Sequence, residues 1–230
     1  MAKGEAAEST GSWRELAVAR SLDPARARAE KRVQRFLDAA LELMTESPDK
    51  EFTVQEVVER SGQSLRSFYQ YFAGKYELLL ALFEESVRST AAHLEEVVAV
   101  EKDPIERLHR LALEYYKVCH PSPRGGKPRK SGPTPAMAEF AQELLTDHPK
   151  EASNAFVPLV TLFEGLLDDA AKAGALRAGL DHRRVAGLVL QSIMFHSFAN
   201  TISGTSSRSD VDEAAQELWA LILDGFGATA

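Results

Sequence analysis

Residues 53–79 read TVQEVVERSGQSLRSFYQYFAGKYELL. Thr53 suits a helix N-cap, and Glu56 three residues on completes a capping box. Val54, Val57 and Val58 follow at i, i+3 and i+4, giving a short helix one apolar face. Gly62 stands where that helix must stop and the chain must turn, because glycine takes positive φ without a Cβ clash. Ser64 then caps a second short helix, in which Leu65, Phe68 and Phe72 share a side. After Ala73-Gly74, Lys75 opens a long helix.

On the second helix, Arg66, Ser67 and Gln70 lie roughly opposite the apolar side, with Gln63 and Ser64 at its start and Tyr69 and Tyr71 flanking. One side is fixed by packing, and the other carries side chains able to touch base edges and phosphates. Two short helices joined by a tight turn can set the second into a DNA major groove. Arg suits the paired acceptors of guanine, Gln suits adenine, and Leu or Tyr suits the methyl of thymine. Arg66, Ser67, Tyr69 and Gln70 are therefore the groove candidates, with Gln63, Ser64 and Leu65 beside them.

The run Gly62-Gln-Ser-Leu-Arg-Ser-Phe-Tyr-Gln-Tyr-Phe-Ala-Gly-Lys75, followed by Glu77-Leu78-Leu79, resembles the signature of the TetR family of transcriptional regulators. Turn, aromatic pair and lysine all fall at the family spacing. Two positions depart from it: Gln63, where the family prefers an apolar residue, and Phe68, where leucine is commoner. The resemblance implies an all-α fold with an N-terminal three-helix DNA-binding domain and a C-terminal helical domain for ligand binding and dimerisation. It also implies that Thr53, Tyr71 and Lys75 contact phosphates. Lys75 sits in addition at a helix N-terminus, where backbone N–H groups favour an anion.

The 230 residues are 44% apolar, enough for a sizeable core. No apolar run is long enough to span a bilayer, and MAKGEAAESTGSW at the start lacks the apolar centre of a secretory signal. Cys119 is the single cysteine, which excludes an intrachain disulfide and a multi-cysteine zinc site. A cytoplasmic protein follows as the expectation. The net charge of −7 is unusual for a DNA binder, so distribution matters more than the sum. Arg14, Arg20, Arg26, Arg28, Lys31, Arg32 and Arg35 gather ahead of and inside the first helix, while later parts are acidic.

Three segments are expected: a flexible arm over 1–25, a helix-turn-helix domain over 26–77, and a helical domain over 78–230. The first firm helix carries Val33, Phe36, Leu37, Ala40, Leu41 and Met44 and ends near Ser47-Pro48. Asp103-Pro104 starts another helix. Residues 120–135, HPSPRGGKPRKSGPTP, lose all periodicity and read as a mobile loop. The last two helices are expected near 181–201 and 210–226. The penultimate one is apolar nearly all round, as befits a helix covered on more than one side.

A single short helix reads few base pairs, whereas two related by a twofold axis read a palindrome with half-sites roughly 34–36 Å apart. Pairing the last two helices with those of a second subunit would bury Val185, Leu188, Val189, Phe195, Leu218, Trp219 and Ile222 in an isologous contact. TetR-like proteins dimerise this way. By the same resemblance, the middle helices bind a small hydrophobic effector, and its site is expected among Tyr115, Cys119, Met137, Phe140, Phe156, Phe163, Met194 and Phe198. Each of these also suits ordinary core.

Two other classes compete. A helical-bundle enzyme or metal protein fits poorly, because the six histidines are scattered and no HExxH pattern occurs, so no catalytic residue, metal or cofactor is assigned. A partner-binding module with a helix-turn-helix that no longer reads DNA has no need to keep Arg66, Tyr71 and Lys75. The expected partners are a double-stranded operator, a small-molecule effector and a second copy of the chain, with no membrane.

Overall fold

The computed structural model describes residues 13–47, 50–120, 135–203 and 211–226. These form helices α1 (Trp13–Glu46), α2 (Val54–Ser61), α3 (Leu65–Tyr69), α4 (Lys75–Val98), α5 (Pro104–Cys119), α6 (Pro135–Asp147), α7 (Pro149–Lys172), α8 (His182–Ser203) and α9 (Val211–Phe226). No strand occurs among the described residues, and the fold is all-α. The expected loop falls mostly on 121–134, outside the described residues.

Within the expected arm, where 14–30 can be read as helical or flexible, residues 13–25 are helical and continuous with the rest of α1, with Pro24 inside the helix. From Pro24 to Arg32 the side chains are exposed apart from Ala29, and packing on the core starts at Val33. Phe36, Leu37, Ala39, Ala40 and Met44 then face α2 and α4 from one side of α1.

The helix-turn-helix is built by local chemistry. Thr53 Oγ1 accepts from the Glu56 N–H, and the Glu56 carboxylate accepts from the Thr53 N–H at 2.7 Å, closing the capping box. Gly62 ends α2 in the left-handed region at φ 64°, and its N–H donates to the Glu59 and Val58 carbonyls. Ser64 caps α3 by accepting from the Ser67 N–H at 3.1 Å. Phe68 stands edge-on to Phe36 with centroids 5.4 Å apart, and Phe72 meets both rings. Burial of each such ring contributes about 1.5–3 kcal/mol. Arg60 of α2 adds an outer clamp, reaching Glu46 and Glu42 of α1 through its guanidinium nitrogens.

α4 leaves this unit and enters the second. It packs on α5, α6 and α7, while α7 and α8 lie together and α5 touches α7, α8 and α9. Asp103 caps α5 by accepting from the N–H groups of Ile105 and Glu106, with Pro104 in the first turn. Leu94, Leu108, Leu111, Leu144, Phe163, Leu167 and Ile193 are fully buried at the centre.

Candidate nucleic-acid interface

α3 is short, but the turns after it extend its course: the Tyr71 and Phe72 N–H groups both donate to the Phe68 carbonyl. With Phe68 and Phe72 turned inward, Arg66, Tyr69 and Gln70 are exposed together on the outer side, and Ser67 is half-buried beside them. Tyr69 is 57% exposed, and its ring stands edge-on to Phe68, which holds it upright. Leu65, expected both inside and near a groove, is 42% exposed, so it does not join the apolar side. Its place in the first turn of α3 turns it outward, where it can meet a thymine methyl.

The supporting residues differ in how committed they already are. Thr53 uses its hydroxyl in the capping box. Ser64 uses its own as the α3 cap. The Gln63 amide donates to the Arg32 carbonyl at 2.8 Å, so this residue joins the turn to α1 rather than standing free at the surface. Tyr71 is half-buried against the core. Lys75 lies 3.3 Å from the Glu51 carboxylate and 4.8 Å over the Phe52 ring. Glu51 is almost fully exposed, so this ion pair is solvent-screened and readily exchanged for a phosphate.

The expected effector residues come together as a core. Tyr115, Cys119, Met137, Phe140, Phe156, Phe163 and Met194 are all buried among α5–α8. The Phe198 side chain lies outside the described residues. Burial pushes the Cys119 thiol up to about 12, against the opposing effect of its hydrogen bond with Tyr115. Burial likewise pushes the Tyr115 hydroxyl well above its usual range. These groups are neutral at physiological pH, as suits an apolar interior. A small surface depression lies between α6 and α8, lined by Gln142, Leu145, Phe195 and Ala199.

The expected dimer residues divide. Leu188 and Phe195 on α8 are 60% and 54% exposed, and Leu221 on α9, not singled out from sequence, is 72% exposed. Val185, Val189, Leu218 and Ile222 are half-buried against the core. Trp219 is corrected: it is buried within its own chain, stacked on His109 of α5 at 5.1 Å. His109 also lies 3.0 Å from the Gln216 side chain, so α9 is seated on α5 by polar and aromatic contacts that apolar periodicity does not reveal.

Sequence reasoning also passed over Tyr76. One residue beyond Lys75, its ring lies tilted against His148 at 4.7 Å and against Phe140 at 5.7 Å, and its buried hydroxyl has no hydrogen-bond partner among the described residues. Its place in the Lys-Tyr-Glu-Leu-Leu opening of α4 marked it as near the DNA-binding unit, but not that α6 and α7 close over it. Among the described residues there is no group of three or more His, Cys, Asp or Glu placed to hold a metal ion, and no helix long and apolar enough to cross a membrane.

Comparison with known proteins agrees with this geometry. A fatty acid metabolism regulator protein of Bacillus subtilis (strain 168) is 24% identical over 158 residues, spanning 69% of this chain and 77% of the relative. The structure of the transcriptional regulator FadR from Bacillus subtilis, in complex with stearoyl-CoA, superposes with a TM-score of 0.61 at 16% identity, covering 84% of this chain and 98% of that one. RolR in complex with resorcinol gives a TM-score of 0.63 at 18% identity, covering 89% and 92%. At these identities the superpositions establish the fold. Residues 36–82, from the buried Phe36 through the turn at Gly62 to α4, match the bacterial regulatory proteins of the tetR family, which makes this part of the chain a TetR-type helix-turn-helix domain.

Proposed function

We propose that this regulator is a repressor that binds a palindromic operator as a homodimer and is released by a small hydrophobic ligand. The observation that carries the DNA-binding part is the division of α3. Phe68 and Phe72 anchor it on Phe36, and Arg66, Tyr69 and Gln70 are presented together outside. A helix fixed on one side and polar on the other fits the major groove, and a twofold pair of them reads an inverted repeat. The exposed apolar side chains of Leu188, Phe195 and Leu221 support pairing through α8 and α9.

The buried aromatic and Met-rich set on α5–α8 supports an apolar effector, since pockets between bundled helices are lined in this way. The relatives' ligands, a long-chain acyl thioester and a small dihydroxybenzene, have apolar surface in common. A ligand that binds one spacing of the two reading helices better than the other lowers DNA affinity by that difference.

Selection of bound duplexes from a random pool, repeated with acyl-CoA thioesters and small phenols, tests the whole proposal. An enriched inverted repeat that is released by one ligand class is expected. A well-folded dimer that enriches no sequence would instead make the helix-turn-helix a protein-binding module.

A further inference from the structure

We propose that the N-terminal part of α1 is a second DNA-contacting element, a basic helix laid along the phosphate backbone flanking the sequence that α3 reads. It rests on the DNA-binding function proposed above.

α1 is far longer than its packing requires. Between Pro24 and Arg32 every residue except Ala29 is exposed, whereas burial starts at Val33 and Phe36. A helix with no packed face is marginal in water, and an internal proline weakens it further. Such a segment gains order from a partner.

Its charges are sorted by side. Arg28, Lys31, Arg32 and Arg35 fall within roughly 100° of one another around the helix axis. By helical phase, the positions of Arg14 and Arg20 lie on the same side. Glu15, Asp23 and Glu30 fall on the other side, and there Glu30 neutralises Arg26 in an ion pair of 2.8 Å. Arg28 turns its Nε onto the Pro24 carbonyl at 3.0 Å, leaving the rest of its guanidinium to solvent. Among the described residues, none of Arg28, Lys31, Arg32 and Arg35 is ion-paired. In a chain of net charge −7, this sorting leaves a basic strip without its own counter-charge.

The strip is aimed by the Gln63 bond. Because that side chain holds the Arg32 carbonyl at 2.8 Å, the strip meets α3 at its N-terminal end. A protein seated with α3 in the groove therefore has the strip beside the adjoining backbone. Residues 13–32 extend about 30 Å, which matches about nine phosphate steps along one strand. Phosphate is the chemistry that a cluster of exposed arginine and lysine side chains recognises.

The triple variant R28A/K31A/R32A tests this. Alanine keeps helix propensity, and all three side chains are exposed. Binding is measured by fluorescence anisotropy to a selected duplex, either minimal or extended by ten base pairs on each side. Wild type should bind the extended duplex at least several-fold tighter. The triple variant should lose that gain, and its log K against log salt slope should be shallower by about 2–3 per bound protomer. R28K/K31R/R32K, which keeps the charges, should restore both. An equal length gain and salt slope in wild type and triple variant would overturn the proposal while leaving α3 as the reader. Failure of wild type to bind any duplex would overturn the underlying function and this element with it. Loss of anionic-vesicle binding in the triple variant, with unchanged DNA binding, would transfer the strip to a lipid surface and overturn the proposal too.

Discussion

The Gln63 side-chain amide donates to the main-chain carbonyl of Arg32 at 2.8 Å, joining the turn of the helix-turn-helix to the helix that precedes it. At this position the resemblance leads one to expect an apolar residue, and here a polar one braces α3 through a hydrogen bond. Gln63→Ala should lower stability by about 0.5–1.5 kcal/mol, the net worth of such a bond. Urea unfolding measures this, and base preference within the operator should stay as in wild type.

Arg66 and Lys75 should separate in their effects. Arg66→Ala should cost roughly 1–3 kcal/mol of specific affinity and relax preference at one base pair of each half-site. Lys75→Ala should weaken binding to all sequences alike and reduce the salt slope by about 1. Titrations of matched and single-mismatch duplexes at several salt concentrations distinguish the two. Loss of base preference in Lys75→Ala would assign that residue to the groove.

Gly62 is a conformational requirement with no steric one. Its φ is 64°, yet a Cβ there would meet nothing within 4 Å. Gly62→Ala should therefore cost only the left-handed strain, about 1–2 kcal/mol. Thermal or urea unfolding checks the value, and a much larger loss would mean that the turn itself rearranges.

The α2 cap should respond to acid. Hydrogen bonds from the Thr53 backbone N–H and then from Lys50 hold the Glu56 carboxyl at about 2, below its ordinary 4.5. A folded-state value below the unfolded one stabilises the fold above the ordinary value and ceases to do so as pH falls through the folded one. Amide-exchange protection in the first turn of α2 should thus be complete above about 4.5 and decline toward pH 2. Glu56→Gln should flatten that dependence.

Exposed and buried residues of the last two helices should behave differently. Leu188→Asp combined with Phe195→Asp should yield a folded monomer in sedimentation experiments. Trp219→Ala should instead destabilise each protomer by about 3–5 kcal/mol, because it empties the stack on His109. Retention of the dimer in the double variant would move the interface elsewhere.

The helix-turn-helix was legible because its signals are local. Thr53 with Glu56, Gly62, Ser64 and the spacing of Phe68 and Phe72 each act within a few residues, and each takes its expected backbone role. The extension of α1 reads as an arm because its Arg- and Ala-rich sequence has no apolar period that would mark a packed face. Trp219 was misplaced for another reason. Periodicity identifies the apolar side of α9, but not that His109, a polar residue over a hundred positions away, covers it. Gln63 shows the same limit, since its partner is a backbone carbonyl, and every residue has one.

Tyr76 is wedged beneath the corner where α6 gives way to α7, against Phe140 and His148, and its neighbour in sequence is Lys75. Close-packed rings do not compress, so any shift of that corner must be passed on or leave a void. The phosphate contact proposed for Lys75 and the packing of the C-terminal bundle around Tyr76 are thus mechanically adjacent, a single peptide unit apart. Enlarging or shrinking the residue at 76 should tune how strongly one end of the molecule hears the other, without altering a single group that touches either ligand.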